Sequence, residues 1–106
     1  MKVLYVTCKP DDARGLAERL LEERLVACAS ILPGVESVYR WEGRVECERE
    51  TVLWMETNDD RVEAAIARLE AIHPYDVPKI VALEVSAVNA PYLRWVADET
   101  QPLSKT

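Results

Sequence analysis

The chain has 106 residues, enough for one compact domain with its own apolar core. Hydrophobic residues make up 49% and charged residues 30% of the chain, which excludes disorder caused by a lack of apolar surface. The formal net charge of -6 argues against general binding of nucleic acid or of an anionic membrane, because the field of the protein repels phosphate. We therefore expect a single domain over residues 1–106, with no nucleic-acid and no membrane partner.

The apolar runs and the cysteines indicate the cellular compartment in which we expect the protein. Every apolar run is shorter than the roughly 18 residues that a membrane span needs. Residues 3–6 are also too few for the core of a signal peptide, so we expect a cytoplasmic protein. The three cysteines, Cys8, Cys28 and Cys47, are odd in number and widely spaced. This spacing argues against a disulfide framework and against a paired-cysteine zinc site, so we expect free and mostly buried thiols.

The first predicted elements are a strand and an amphipathic helix. Apolar, aromatic and β-branched residues predict a strand over Lys2–Cys8. Pro10 then opens a helix in which Asp11 or Asp12 is the expected N-cap, and the helix should continue to about Leu25. Its apolar residues follow the i, i+3, i+4, i+7, i+8 spacing of one buried face. They are Ala13, Leu16, Ala17, Leu20 and Leu21.

A hairpin of unusual length follows this helix. The small and apolar residues 26–32 predict a strand buried on both faces. Residues 33–34, a Pro-Gly pair, predict a bend within the strand, which then resumes up to Trp41. Residues 42–43 indicate a two-residue turn, and residues 44–57 form the return strand. Strands usually have about 5 or 6 residues, so much of this hairpin should extend beyond the rest of the domain.

The second half predicts a helix, a strand and a short final helix. Asp59 and Asp60 are expected to cap a helix that ends at His73, because the next residue is a proline. A fourth strand is predicted over residues 78–88, and the last helix should begin at Ala90. This order of elements, β-α-β-β-α-β plus a terminal helix, predicts an α+β, ferredoxin-like fold with a four-stranded antiparallel sheet.

The predicted sheet leaves apolar surface without cover. Both main helices should lie on one face, and the sequence offers no helix for the other face, where Val52 and Trp54 would point. An uncovered apolar face and a long, marginally stable hairpin imply self-association. Residues 101–106 are expected to fray.

Few residues suit catalysis or metal binding. His73 is the sole histidine, and a structural role at the end of its helix competes with metal ligation. Cys8 lies at the end of the first strand, where a buried thiol competes with a ligand. One face of the return strand carries three carboxylates at a spacing of about 7 Å: Glu46, Glu48 and Glu50. Such a row can gather hard cations, or it can be the solvated edge of the sheet. The absence of a Gly-rich phosphate loop and of a nucleophile motif predicts that the protein is not an enzyme.

Four segments carry a family resemblance that covers nearly the whole chain. They are LVACASILPG over residues 25–34, SVYRWEG over residues 37–43, HPYDVP over residues 73–78 and YLRW over residues 92–95. Together they resemble the CutA divalent-cation tolerance family. The resemblance implies a ferredoxin-like subunit in an interlocked homotrimer, similar to the trimer of the PII signalling proteins. It also implies a role in tolerance of copper and other divalent metals, with no established catalytic reaction.

The resemblance also bears on metal ligands. Some bacterial members have a cysteine at the position that Thr7 occupies here, and paired histidines where this chain has Ile72 and His73. The candidate ligands of this chain are therefore His73 and the neighbouring Cys8, whose side chain should point to the sheet face opposite that of Thr7. We expect no required cofactor, and copper or another divalent cation as the candidate ion.

Two functions follow from these observations. The first is a divalent-cation tolerance protein that binds copper or a similar ion as a homotrimer. The second is a PII-like trimeric module that binds a small ligand or a protein partner at clefts between subunits.

Overall fold

A computed structural model describes residues 1–102 of the chain. The expected fraying of residues 101–106 falls largely on residues 103–106, which lie outside the described part. The elements are β1 (Lys2–Cys8), α1 (Pro10–Glu22), β2 (Cys28–Trp41), β3 (Arg44–Thr57), a 3₁₀ turn (Asp59–Arg61), α2 (Val62–Ile72), β4 (Ile80–Glu84) and α3 (Ala90–Glu99).

The four strands form one sheet in the order β2-β3-β1-β4, and all neighbouring pairs are antiparallel. Helices α1 and α2 lie on one face, where their apolar residues join inward side chains of β1 and β3 in one buried cluster. This arrangement confirms the predicted α+β, ferredoxin-like fold. The cluster members with no exposed surface are Leu4, Val6, Cys8, Leu20, Leu53, Met55, Ala65 and Leu69.

Strand register decides which side chains enter this core. Leu4 lies opposite Met55 and Val6 lies opposite Leu53, and all four side chains are fully buried. Side chains alternate between the two faces of a strand, so the residues between them point to the face opposite α1 and α2. The alternation predicted for the return strand is therefore confirmed.

Helix α1 differs from its prediction at both ends. It ends at Glu22 and not near Leu25, because Arg24 adopts a left-handed backbone with φ 58°. The N–H of Leu25 then bonds to the carbonyl of Leu20 at 2.9 Å, which closes the helix in a Schellman-type cap. The N-cap is Lys9, so the predicted aspartate cap is wrong. The two aspartates lie in the first turn, where the partial positive charge of the helix favours them.

The start of α2 also differs from its prediction. Asp59 and Asp60 belong to the 3₁₀ turn that precedes α2, and the N-cap of α2 itself is Arg61. Asn58 donates to a carboxylate oxygen of Asp60 at 2.9 Å, so side-chain bonding here stabilises the turn. The predicted end of the helix at His73, before the proline, is confirmed.

Strands β2 and β4 are the edges of the sheet, and both differ from their predictions. Strand β2 begins at Cys28, and as an edge strand it is not buried on both faces: Ile31 is 44% and Leu32 is 46% exposed. Strand β4 spans only Ile80–Glu84 and not residues 78–88. Burial depends on strand order, which the local sequence pattern does not contain.

Helix α3 covers part of the sheet face that was predicted to lack a helix. It contacts β3, and Tyr92 lies beside Cys28 and Glu56, two side chains of that face. Val96 of the same helix is fully buried. The remaining apolar side chains of this face are partly exposed, so the cover is incomplete.

The long hairpin bends where the Pro-Gly pair was predicted to bend it. The pairing register of β2 with β3 shifts between Leu32 and Val35, and Gly34 has a φ of 79°. At the tip, Glu42 and Gly43 both have positive φ values, 49° and 79°. Two positive φ values fit a type I′ turn, whose twist matches that of the paired strands.

Replacing Gly34 by valine is expected to destabilise the protein by about 1–2 kcal/mol or more, since a left-handed φ costs that much for a residue with a Cβ. No heavy atom of the described residues comes within 4 Å of an added Cβ at Gly34, so the cost is backbone strain and not a clash. The control is Gly15→Ala in α1, where space is also open and φ is helical. That change should stabilise the protein by about 0.5–1 kcal/mol. Equal melting temperatures for Gly34→Val and wild type would contradict the strained bend.

Among residues 1–102, no helix is both long enough and apolar enough to cross a membrane. The cytoplasmic location stays a prediction.

Candidate functional site

A groove of about 920 Å³ opens on the sheet face opposite α1 and α2. It lies between β1, the outer half of the β2–β3 hairpin and the loop that follows α2. We call it the hairpin groove. Its walls are aromatic, and its charges are of both signs. The aromatic residues are Tyr5, Tyr39, Trp41 and Tyr75, the acidic ones include Glu46, Glu48, Glu50 and Asp76, and the basic ones include Lys9 and Lys79.

The acidic side of the groove is a row of carboxylates on β3. Glu46, Glu48 and Glu50 alternate with residues of the opposite face, so they follow one another at about 6.6 Å along the strand. Glu50 is only 6% exposed, and the hydroxyl of Tyr75 donates to its Oε2 at 2.6 Å. Burial and the neighbouring Glu50 raise the pKa of Tyr75, so its hydroxyl keeps the proton that it donates.

His73 connects the loop after α2 to the end of β1. Its Nε2 lies 2.9 Å from the carbonyl oxygen of Thr7, and the backbone N–H of Tyr75 donates to its Nδ1 at 3.1 Å. A carbonyl can only accept, so Nε2 is the donor and Nδ1 is the acceptor in this arrangement. The ring is 6% exposed and packs on the Tyr75 ring with centroids 4.6 Å apart. A metal ion could bind either nitrogen only by replacing one of these bonds.

Cys8 points into the core on the face opposite that of Thr7, as predicted. It is fully buried, and its thiol lies 3.8 Å from the carbonyl oxygen of Thr51. Burial, with smaller effects of Asp12 and Glu50, raises the pKa of the Cys8 thiol to about 11. Since the thiolate is the form that binds metals, this environment opposes ligation.

The structure therefore holds the two predicted ligands in different surroundings. His73 contacts the backbone of the residue before Cys8, while the sulfur of Cys8 lies among apolar side chains. In the part of the chain that the structure describes, no three His, Cys, Asp or Glu side chains are grouped so that they could hold a metal ion.

The burial of Cys8 predicts that its thiol reacts slowly with reagents in solution. In native protein at pH 8, we expect a maleimide reagent to leave Cys8 unmodified, because the thiol is enclosed and its raised pKa keeps it protonated. Unfolding in guanidinium chloride should add one modified site in wild type but not in Cys8→Ser, as counted by mass spectrometry. Rapid modification of Cys8 in the native protein would contradict this placement.

The contact between Glu50 and Tyr75 is the feature of the site that the sequence alone does not reveal. The two residues are 25 positions apart, and the strand pattern treats Glu50 as one member of a solvated row. The sequence signals only that α2 ends before Pro74, and it carries no sign that Tyr75 returns to β3.

Comparison with known proteins settles the family. The sequence model of the CutA1 divalent ion tolerance protein family matches residues 2–99. The chain belongs to the CutA1 family. The divalent-cation tolerance protein CutA of Thermus thermophilus is 40% identical over 100 residues, which cover 93% of this chain and 97% of that protein. The human protein CutA is 35% identical over 101 residues, which cover 94% of this chain and 56% of that protein.

Solved structures of other CutA proteins share the fold. CutA from Xylella fastidiosa superposes with a TM-score of 0.91 at 40% identity, covering 94% of this chain and 97% of that one. A protein from a Nostoc species, described as the PII-like protein CutA in apo form, superposes with a TM-score of 0.92 at 33% identity. That match covers 97% of this chain and all of the other.

Several curated CutA relatives are longer than this chain. The match spans 66% of the Xenopus laevis protein and 56% of the rice chloroplastic protein.

Proposed function

We propose that this CutA1-family chain acts in divalent-cation tolerance as a homotrimer that binds a divalent cation in the hairpin groove. The observation that carries the proposal is the carboxylate row with the buried Glu50 at its inner end. Family membership supports the physiological role, since the matching family is described as a divalent ion tolerance protein family.

The exposed apolar surface supports self-association. On the face opposite α1 and α2, a stripe of apolar side chains crosses the sheet from β2 to β4, each 37–46% exposed. Both β2 and β4 also have one edge that pairs with no other strand of residues 1–102. Such surface is costly in water and favours burial against further copies. The stripe consists of Leu32, Trp54, Val81 and Leu83.

The spacing of the carboxylates suggests how an ion is held. Neighbouring carboxylates on one strand face are about 6.6 Å apart, so one chain offers a bound ion few ligands at a time. Water or a neighbouring subunit would complete the coordination shell. Carboxylate oxygens suit hard ions such as Mn²⁺ and also bind Cu²⁺, the ion that the resemblance implies. His73 and Cys8 form the competing proposal, which requires both residues to leave their present contacts.

Titration calorimetry with Mn²⁺ and Cu²⁺ tests whether the hairpin groove binds the ion. Glu48 is exposed, so Glu48→Gln should leave the fold intact and weaken ion binding about tenfold or more. The control is Glu63→Gln on the exposed side of α2, which should bind as wild type does. Wild-type affinity in Glu48→Gln would refute the groove as the ion site. Loss of Cu²⁺ binding in His73→Gln alone would favour the imidazole instead.

A second candidate is a PII-like module that binds a small organic ligand in the same groove. The aromatic walls of the groove favour an organic ligand, and the Nζ of Lys79 lies 5.5 Å from the centre of the Tyr5 ring. A panel of metabolites can be screened by the fluorescence of Trp41, with Trp41→Leu as the control for its signal. A saturable ligand in the absence of metal would support this function, and no response across the panel would count against it.

A further inference from the structure

Helix α3 is held to the sheet by few of its own side chains. Val96 is the one buried residue of its ten, whereas α1 buries four residues and α2 buries three. Val96 also lies outside the apolar cluster that α1 and α2 form with the sheet. Segments with few buried apolar contacts open at a lower free energy than the core does. Helix α3 is therefore suited to open by itself while the rest of the fold stays intact.

The last turn of α3 depends on a cation from outside the helix. It contains Asp98 and Glu99 and no basic residue, although the C-terminal end of a helix carries partial negative charge. Arg24, in the loop between α1 and β2, supplies the missing cation. Its Nε donates to the carbonyl oxygen of Gln101 at 2.6 Å, and its Nη2 donates to that of Asp98 at 2.9 Å. The guanidinium therefore satisfies carbonyl groups at the end of the helix, where no further turn follows to bond them.

The backbone of Arg24 points to the same role. Arg24 has a φ of 58°, at the position after α1 where glycine is the usual residue. A left-handed conformation strains a residue with a Cβ, and strained residues cluster where the conformation is part of a mechanism. A glycine here would relax the backbone but has no side chain that could reach α3. The side chain of Arg24 therefore accounts for an arginine at a position that favours glycine.

We propose that α3 is a cover of the sheet face that opens as one unit, and that Arg24 is the latch that holds it closed. In the closed position, α3 places Tyr92 beside Cys28 and Glu56, at the end of the face away from the hairpin groove. In the open position, both side chains of β2 and β3 become accessible from solvent, while the core on the other face of the sheet stays packed. Arg24 is a positioning residue in this device. The inference concerns a conformational change and depends neither on the proposed ion site nor on the homotrimer.

Hydrogen–deuterium exchange of the native protein, measured by mass spectrometry of its peptides, tests the latch. In wild type, the amides of α3 should exchange faster than those of β1, an inner strand of the sheet. Arg24→Gly and Arg24→Asn both remove the guanidinium and both tolerate a left-handed backbone. Each should speed the exchange of α3 about tenfold or more and leave that of β1 no faster than in wild type. Arg24→Lys keeps the charge but lacks the fork of donors, so it should give an intermediate rate.

The control variant is Arg68→Ala. Arg68 is another arginine that joins two elements, and its Nε donates to both carboxylate oxygens of Glu23, at 2.9 and 3.1 Å. Its loss should leave the exchange of α3 as in wild type. Equal exchange rates of α3 and β1 in wild type, or an unchanged rate of α3 in Arg24→Gly, would overturn the proposal. An equal rise in α3 and β1 would also overturn it, because Arg24 would then stabilise the whole fold and not one helix.

Discussion

Replacing Leu83 by glutamate is expected to break the proposed trimer into single chains, whereas the same change at Leu21 should leave it intact. Both leucines are 37% exposed in the single chain, so simple exposure does not distinguish them. Leu83 lies on β4 in the apolar stripe of the sheet face opposite α1 and α2, while Leu21 lies on α1. The proposed trimer therefore buries Leu83 against another copy and leaves Leu21 on the surface.

The size of this effect follows from burial. Each leucine removed from an interface loses about 1.5–3 kcal/mol of apolar burial, and a glutamate there must also be desolvated. Size-exclusion chromatography with light scattering should give about three times 12.0 kDa for wild type and for Leu21→Glu, and about 12.0 kDa for Leu83→Glu. Circular dichroism confirms that the variants are folded. An unchanged mass for Leu83→Glu would mean that this face is not the interface.

Replacing His73 by alanine is expected to destabilise the protein by about 2–4 kcal/mol. The change leaves the carbonyl of Thr7 and the N–H of Tyr75 without the partners that the ring supplies, and an unsatisfied buried group costs about 1–3 kcal/mol. It also removes the ring that packs on Tyr75, which in turn holds Glu50 at the groove. The expected loss of stability therefore comes from broken contacts within the protein and does not require a metal.

Urea unfolding at one fixed chain concentration measures this loss, because the stability of an oligomer depends on concentration. The matched variant is His73→Gln, whose amide keeps one donor and one acceptor and should lose less. If His73→Ala unfolds at the same urea concentration as wild type, the ring does not hold the loop. If His73→Gln is stable but loses Cu²⁺ binding, the ring is a ligand.

The sequence predicts those parts of the fold that depend on local patterns. Strands β1 and β3 have the predicted bounds, because alternating side chains and turn residues mark both ends. The sequence does not signal the end of α1, because Arg24 takes the left-handed position that glycine usually occupies. The exposure of β2 is not visible in its sequence, because it depends on the order of strands in the sheet.

The site was less predictable for a related reason. The chemistry of a thiol and an imidazole predicts Cys8 and His73 as metal ligands, but their surroundings come from residues distant in the chain, such as Thr51 for the thiol. The link from Tyr75 to Glu50 joins a loop to a strand and leaves no periodic trace. Residue type alone therefore predicts Cys8 and His73 as ligands. Their burial and hydrogen bonds oppose metal binding, and for this reason we propose the groove carboxylates as the ion site.

Native mass spectrometry of the protein in Mn²⁺ tests the proposed function most directly, because one spectrum reports both the number of chains and the number of ions. We expect a species of about three times 12.0 kDa that carries Mn²⁺ in wild type and in Glu63→Gln. The same species should lose its Mn²⁺ in Glu48→Gln. A species of about 12.0 kDa, or equal Mn²⁺ loading in wild type and Glu48→Gln, would contradict a trimer that binds its ion in the hairpin groove.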